Sequence, residues 1–482
     1  MSELSDLLNR FMKEKEIPSI QIVQGVDIDR STVYQYLRGR REIKNRAHLE
    51  AICAILRLTP EEHQQITRAF HMAAVGPEQY AQWEKLEDMF TVLSRVEEQI
   101  TPLEIDLQIQ LPDEGRVFTG FQEVARISGA VLTDAMGGAR CDILLQPSAS
   151  LLSALILAQL RPEGTDTPVR HVICMESNAK TGVVQNIEIL QELLRHSVAL
   201  RNYSPIFYYG SIPDHFGTTN ILPGLIVSDR AALTISGDAT SGMLYRAPEA
   251  VALFQRRFDQ IASVCRPLLS YTVAPPDAFQ YSLRFYHQHV KSTRTTMEYG
   301  FCCSPFLDKY LLDKYLNPTV AAYGASRQVV DVFVDQITAY CKKYGSCHIC
   351  AVENIDELLE TGYFSDFPRL FMRTSLSPAD RCYFLRKILQ AMADGWHSLH
   401  LLKENRGLLS AKWSACFTPG TALYIQRKME SGDCFVICPE PGITAAAWNY
   451  YQAILQSDRV TTKAETMALL EERVQSFLAD QG

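Results

Sequence analysis

The hydrophobic pattern of this chain changes along its length, and the change limits the folds that are open to it. The first seventy residues carry the start and stop signals of five short helices, whereas from about residue 105 short apolar segments alternate with helical ones. These two patterns belong to different architectures, so they do not share one core. We therefore predict an all-α N-terminal module and a large α/β region. The predicted segments are a helical module at 1–70, a helical linker at 71–104, and two related α/β lobes at 105–270 and 271–482.

Capping signals define the helices of the N-terminal module. Asp29 stands where an N-cap is expected, before a helical segment from Arg30 to Leu37, and Gly39 follows as the usual stop signal. The segment Thr59–Glu62 reads Thr-Pro-Glu-Glu, which is a capping box with proline at the first helical position. We expect a common core to be formed by Leu4, Leu7, Leu8 and Phe11 in the first helix, Ile20 and Val23 in the second, and Leu49, Ile52, Cys53 and Leu56 in the fourth.

The charge of the chain is distributed unevenly. The whole sequence has 47 Lys and Arg against 55 Asp and Glu, a net charge of −8. Residues 1–70 hold 11 basic and 10 acidic residues, or +1, which leaves −9 for the remainder. An acidic region is a poor general partner for nucleic acid, so any DNA contact has to come from a local basic patch. The N-terminal module has such a patch, in which Glu42 alone opposes Arg30, Arg38, Arg40, Arg41, Lys44 and Arg46.

One short segment carries a family resemblance. Asp27–Gly39 reads Asp-Ile-Asp-Arg-Ser-Thr-Val-Tyr-Gln-Tyr-Leu-Arg-Gly. It resembles the turn and recognition helix of the lambda-repressor-like (XRE-family) helix-turn-helix proteins, and the resemblance extends over roughly residues 4–70. It implies a recognition helix in the major groove of double-stranded DNA, with base contacts from its first residues and phosphate contacts from the basic residues that follow. The DNA-binding positions that it implies are Arg30, Ser31, Thr32, Tyr34, Gln35, Arg38, Arg40, Arg41 and Lys44.

A strand hairpin followed by Pro-Glu and a long helix occurs twice in the α/β region, near 242–249 and 433–440. The arrangement resembles the two-lobed phospholipase D-like fold, whose catalytic motif is HxKxxxxD. If Asp229 ends that motif, Leu222 and Gly224 occupy the positions of the required His and Lys, so the resemblance implies a region without this chemistry. The sequence also lacks a Walker loop, a GxSxG elbow, an HExxH motif and a GxGxxG loop after a strand. We predict that the protein is not an enzyme.

The cysteines and histidines suggest neither a metal nor a cofactor. Thirteen cysteines are scattered among apolar neighbours, as is typical of small buried side chains in a reducing compartment. The segment Cys347–Cys350 reads Cys-His-Ile-Cys but lacks a second ligand pair, so we interpret 346–352 as a buried strand. The segments His287–His289 and His397–His400 are the other metal candidates, and we interpret their histidines as partly exposed surface residues.

The predicted function is that of a cytoplasmic, sequence-specific transcription regulator. The first residues lack the pattern of a signal peptide, and no apolar segment is long enough to span a membrane. We expect the α/β region to sense a small-molecule or protein effector and to hold a homodimer through the long helices after Pro248 and Pro441. Two alternatives remain open: an enzyme that acts on DNA or nucleotides and is targeted by the N-terminal module, and an antitoxin-like protein-interaction scaffold.

Overall fold

The computed structural model divides the chain into two compact units. The first comprises Met1–Glu84 and the second Lys85–Gly482, and we call them the head and the body. The residues that the structure describes are 3–95, 111–160, 166–178, 182–197, 200–217, 220–272, 292–318, 326–364, 369–403, 413–418, 420–427 and 434–480.

The head is all-helical, as predicted. Its helices are α1 (Glu3–Glu14), α2 (Ser19–Gly25), α3 (Arg30–Leu37), α4 (Arg46–Leu56), α5 (Pro60–Val75) and the first part of α6 (Pro77–Arg95). The predicted capping box is confirmed, because the Thr59 hydroxyl accepts from the Glu62 amide while the Glu62 carboxylate accepts from the Thr59 amide at 2.7 Å. Helix α5 runs on to Val75, past the end that we predicted for the helical module.

One apolar cluster forms the core of the head, and all of its helices from α1 to α5 contribute to it. The side chains with no exposed surface are Leu8, Ile22, Val33, Ile52, Leu56 and Ile66. The prediction that Ile20 faces this core is wrong, since its side chain is 41% exposed. Ile22 and Val26, four residues apart and therefore on one side of the chain, are buried instead.

The strands of the body form two mixed sheets. The first sheet contains β1 (Val117–Thr119), β2 (Cys141–Leu144), β3 (Val169–Glu176), β4 (Tyr203–Gly210), β5 (Gly224–Ser228), β6 (Ala232–Ile235), β7 (Ser241–Tyr245) and β8 (Arg266–Pro267). The second contains β9 (Ser270–Thr272), β10 (Arg294–Glu298), β11 (Ser346–Ala351), β12 (His397–Leu402), β13 (Trp413–Thr418), β14 (Ala422–Arg427) and β15 (Cys434–Cys438). Their orders are β1-β7-β6-β5-β2-β3-β4-β8 and β12-β11-β10-β13-β14-β15-β9.

The two sheets repeat one topology. Strands β2, β3 and β4 run parallel, and β5, β6 and β7 form an antiparallel meander on the other side of β2. Strands β10, β11 and β12 and the meander β13, β14 and β15 repeat this arrangement. The edges of the two sheets also correspond. At one edge, β1 pairs with β7 in the first sheet and β9 pairs with β15 in the second. At the other edge, β8 pairs with β4 in the first sheet, and in the second sheet Val460 forms a single bridge to Leu402 of β12. The prediction of an α/β region with two related lobes is confirmed.

Helices connect and flank these strands. They are α7 (Phe121–Ala135), α8 (Ala149–Gln159), α9 (Gly182–Ser197), α10 (Ile212–Phe216), α11 (Pro248–Ala262), α12 (Lys309–Tyr315), α13 (Arg327–Tyr344), α14 (Glu353–Thr361), α15 (Pro378–Ala393), α16 (Pro441–Leu455) and α17 (Lys463–Asp480). Short 3-10 turns lie at Ser304–Phe306 and Arg369–Phe371. The expectation that α16 offers a dimer surface is wrong, because its apolar side is buried in the body through Ile443, Ala446, Ala447, Tyr450, Tyr451 and Ile454.

The segment predicted as a linker is helical as far as the structure describes it. It holds the end of α5 and then α6, whose Leu86, Met89 and Phe90 are fully buried. The predicted end of this linker at residue 104 lies outside the described residues. The boundary predicted between residues 270 and 271 cuts β9, which pairs with the second sheet from Ser270 onward. Within the described ranges, no helix combines the length and the apolar character needed to cross a bilayer.

Two buried histidines make the stability of the body sensitive to acid. His171 contacts the Tyr203 hydroxyl (2.6 Å) and the Leu145 carbonyl (2.9 Å), and His397 contacts the Ser346 hydroxyl (2.7 Å). Burial lowers the pKa of His171 to about 4 and that of His397 to about 3. Below pH 6.5 the unfolded chain therefore binds protons that the folded chain does not, so stability falls as the pH drops from 6.5 toward these folded-state values.

We expect each of these histidines to reduce the free energy of unfolding by about 2 kcal/mol between pH 7 and pH 5. Denaturant titrations of the full chain at both pH values measure the loss, and His171→Asn, which does not titrate, should show a correspondingly smaller one. Equal losses in the wild type and this variant would show that His171 is not a source of the acid sensitivity.

Candidate nucleic-acid interface

Local capping fixes both ends of helix α3. The Asp29 carboxylate accepts a hydrogen bond from the Thr32 amide (3.1 Å) at the first turn, as the sequence predicted. At the other end Gly39 has φ of 62°, a left-handed conformation that favours glycine, and the Arg40 amide donates back to the Gln35 carbonyl (2.9 Å). The helix therefore starts and stops at set positions, which fixes which side chains point outward.

Helix α3 has one buried and one exposed side. Val33, Tyr36 and Leu37 lie in the core of the head. The opposite side and the C-cap present six of the predicted DNA-binding positions to solvent, with Tyr34 and Thr32 half-buried and Arg30, Ser31, Gln35 and Arg38 exposed. A helix that exposes arginine and glutamine at its N-terminal half matches the chemistry of base reading, since Arg pairs with guanine O6/N7 and Gln with adenine N6/N7.

Tyr34 organises two of these cations. The guanidinium groups of Arg30 and Arg38 each lie 5.7 Å from the centre of its ring, one a helical turn before it and one a turn after it. Cation–π contacts of this kind hold a long side chain along the helix surface at little cost. Tyr34 thus limits the rotamers of both arginines in the free protein, a role that the sequence did not reveal.

Ser31 and Thr32 are engaged in the helix cap. The Ser31 hydroxyl donates to the Asp29 carboxylate, and this bond, followed by the one from the Thr32 amide, lowers the pKa of Asp29. Asp29 is therefore a carboxylate at neutral pH, and its negative charge interacts favourably with the positive N-terminal end of the helix dipole. Arg30 and Gln35 are exposed and are not part of this cap.

A basic loop follows the recognition helix. Arg40, Arg41 and Lys44 are exposed on it, while Ile43 is buried in the core and anchors the loop. Arg41 lies 5.9 Å from the Tyr36 ring. In the described part of the chain, no ion pair engages the five cations Arg30, Arg38, Arg40, Arg41 and Lys44, which leaves their charge available to phosphates.

Asn9 is a positioning residue that the sequence analysis missed. Its side-chain amide donates to the Leu37 carbonyl, at the last turn of α3, and to the Ser5 carbonyl, each at 2.7 Å. It thereby ties α1 to the end of the recognition helix. The only sequence signal was an asparagine in the middle of an amphipathic helix, where its side chain commonly bonds to backbone groups.

Among the described residues of the body, the metal candidates that the sequence suggested do not come together. Cys347 and Cys350 lie on β11, so the predicted strand is confirmed, and their odd spacing puts them on opposite faces. The interpretation of His397 as a surface residue is wrong, because it is 3% exposed and contacts Ser346, while His400 contacts the Thr461 carbonyl (2.8 Å). His287–His289 lies outside the described residues. The described residues contain no group of three or more metal-ligating side chains.

Asp229, which would end a phospholipase D-like motif, has a hydrogen-bonding role in the fold. Asp229 accepts from the Ala139 amide at 2.6 Å and thus closes a loop near the end of α7. Leu222 and Gly224, at the positions of the motif's His and Lys, bring no nucleophile or acid to it.

The head matches a known family of DNA-binding domains, and the chain has distant structural similarity to two solved proteins. Residues 8–62 match the family model of the Cro/C1-type HTH DNA-binding domain. No curated protein matches the chain. Similar solved structures include a phosphatidylserine synthase of Haemophilus influenzae Rd KW20, with 10% identity, a TM-score of 0.23, and 80% of this chain and 98% of that chain covered. Another is TrmBL2, an archaeal chromatin protein said to show a novel mode of DNA binding, with 8% identity, a TM-score of 0.22, and 54% and 93% covered.

Neither structural similarity bears on function at such TM-scores. The family match, by contrast, covers α3, its caps and the preceding helix α2, which are the elements that the geometry singles out. This chain therefore carries, in its first unit, a helix-turn-helix DNA-binding domain of the Cro/C1 type.

Proposed function

We propose that the chain is a sequence-specific transcription regulator that acts in the cytoplasm. The observation that carries the proposal is the exposed side of α3, where Arg30 and Gln35 stand beside a basic loop whose cations have no acidic partners among the described residues. Arginine and glutamine side chains such as Arg30 and Gln35 can distinguish bases, whereas the cations of the basic loop can bind the phosphates of any DNA sequence. The body has a net negative charge, so we expect the basic surface of the head to make the DNA contacts.

Substitutions in α3 and in the basic loop should have different effects. Changing Arg30 or Gln35 to Ala is expected to weaken binding to a selected operator by about 1–3 kcal/mol and to relax the preference at one base pair each. Changing Arg40 or Lys44 to Ala should weaken binding to every sequence alike and reduce its salt dependence. Titrations of the full chain with operator and unrelated duplexes at several salt concentrations measure both effects.

Glu42→Gln provides a matched control in the same loop, because it removes an exposed charge of the opposite sign and should not weaken binding. Wild-type affinity for the operator in both Arg30→Ala and Gln35→Ala would show that α3 is not the base-reading element.

We further propose that the body senses an effector and holds a homodimer. A single helix-turn-helix head reads few base pairs, so useful affinity needs two heads on two half-sites. With α16 buried, the outward side of α11 supports the proposal best, since it exposes Leu253, Arg256 and Arg257, and the exposed Val264 follows just after the helix.

We also propose that the body does not hydrolyse phosphodiesters. Leu222 and Gly224 supply neither the nucleophile nor the positive charge that such a reaction needs, and Asp229 is occupied by the Ala139 amide. The full chain should show no turnover of bis(p-nitrophenyl) phosphate above buffer. Steady turnover that Asp229→Ala abolishes would contradict the proposal.

A further inference from the structure

An open cleft of about 660 Å³ lies in the first lobe, at one end of the first sheet. Its walls come from β1, from the turn between β6 and β7, and from the described residues 216–217 and 220–222. The volume lies in the range of small-molecule sites. None of the residues discussed for DNA binding contributes to it.

The apolar wall of the cleft is unusually exposed. It is formed by Val117, Phe216, Ile221, Leu222 and Met243. Val117 is 63% and Ile221 86% exposed, and both line the same cleft. Single exposed apolar side chains are common, but two that flank one concave surface indicate that an apolar body can bind between them.

The polar wall carries a single charge. Asp238 is the only ionisable side chain among the described residues that line the cleft; the other polar groups there are neutral, such as Asn220 and Ser241. Hydrogen bonds from the Ser236 hydroxyl and from Thr240 lower the pKa of Asp238. These bonds go to Oδ1, and Oδ2 accepts none from the described residues. The cleft thus presents a fixed negative charge with a vacant acceptor and no cation.

The turn between β6 and β7 packs closely against the end of α10. A Cβ atom on Gly237 would lie 1.7 Å from the Phe216 carbonyl oxygen, so only glycine allows this approach. The turn between β6 and β7 therefore lies directly against the end of α10, and this contact bounds one end of the cleft.

From this combination we infer that the cleft binds an amphipathic organic cation, with its apolar or aromatic body against the Ile221 wall and its positive charge beside Asp238. Apolar walls with one oriented charged group are what such a ligand requires. Such a cation would be the effector of the sensing role proposed above. Binding to the cleft does not depend on that role, whereas an effect of binding on the affinity for DNA does.

The test uses two probes of equal shape and opposite charge, tetraphenylphosphonium and tetraphenylborate, titrated calorimetrically into the full chain. We expect the phosphonium to bind and the borate to bind at least tenfold more weakly. Asp238→Asn keeps the Oδ1 acceptor of the turn and should remove most of this preference. Ile221→Lys adds a cation at an exposed position, so it should weaken phosphonium binding without affecting folding. Glu471→Gln, an exposed charge change on α17, is the control and should bind as the wild type does.

Equal binding of the two probes, no binding of the phosphonium, or undiminished phosphonium binding in both cleft variants would overturn the inference. The titration contains no DNA, so its result is independent of whether the head binds an operator. A parallel operator titration tests the proposed function separately.

Discussion

Asp142→Asn is expected to lower the free energy of unfolding of the body by about 3–5 kcal/mol, the usual loss when one partner of a buried ion pair is removed. Asp142 has no exposed surface and receives two hydrogen bonds from Arg170, at 2.7 and 2.8 Å, and another from Arg140. Arg170 also lies over the ring of Phe258, 5.0 Å from its centre, and pairs with Asp259. The substitution leaves two guanidinium groups without their buried counter-charge and loosens the link among β2, β3 and α11.

Asp259→Asn is the matched control, because Asp259 contacts the same two arginines but its side chain is 48% exposed. An exposed pair contributes about 1 kcal/mol or less, so the loss should be much smaller. Denaturant unfolding of the full chain measures both variants. A loss for Asp142→Asn no larger than that for Asp259→Asn would show that the buried carboxylate does not hold the lobe together.

Removing the body should reduce operator affinity about 100-fold or more, because two linked heads bind their half-sites with a raised effective concentration. A fragment of residues 1–84 corresponds to the head, which has its own apolar core. We expect the full chain to be a dimer that binds an inverted repeat with half-site centres about 34 Å, or a multiple of this, apart. Light scattering and operator titration compare the two proteins.

A single half-site serves as the control duplex, since the full chain and the fragment should bind it with similar affinity. A monomeric full chain, or a fragment that matches it on the inverted repeat, would refute dimerisation through the body.

Local signals predicted those parts of the fold that depend on local chemistry. The N-cap at Asp29, the left-handed glycine at Gly39 and the capping box at Thr59 each act within one turn of helix, and each lies where the sequence placed it. All nine predicted DNA-binding positions consequently lie on α3 or on the loop after it.

Tertiary context explains what the sequence did not reveal. Strand β10 reads Arg-Thr-Thr-Met-Glu, which has neither an apolar run nor a clean alternation, and yet four of its five residues are buried. Its Thr295 hydroxyl donates to the Phe417 carbonyl and its Glu298 lies 3.3 Å from the His348 ring nitrogen, so these polar groups meet partners from distant segments. The cleft beside Asp238 has the same origin, since its walls come from segments far apart in sequence.

The repeated topology of the two lobes creates a hazard during folding. Strands of the same order and direction in two lobes are near-equivalent partners for one another before each sheet is complete, and swapped pairing is a characteristic failure of repeated domains. Open sheet edges add the risk of pairing between molecules. At β8 the first sheet ends in Arg266 and Pro267, both exposed, and proline lacks the amide hydrogen that regular pairing needs. This edge therefore resists extension by a strand of the other lobe and by a strand of another chain, which protects the protein from misassembly and aggregation.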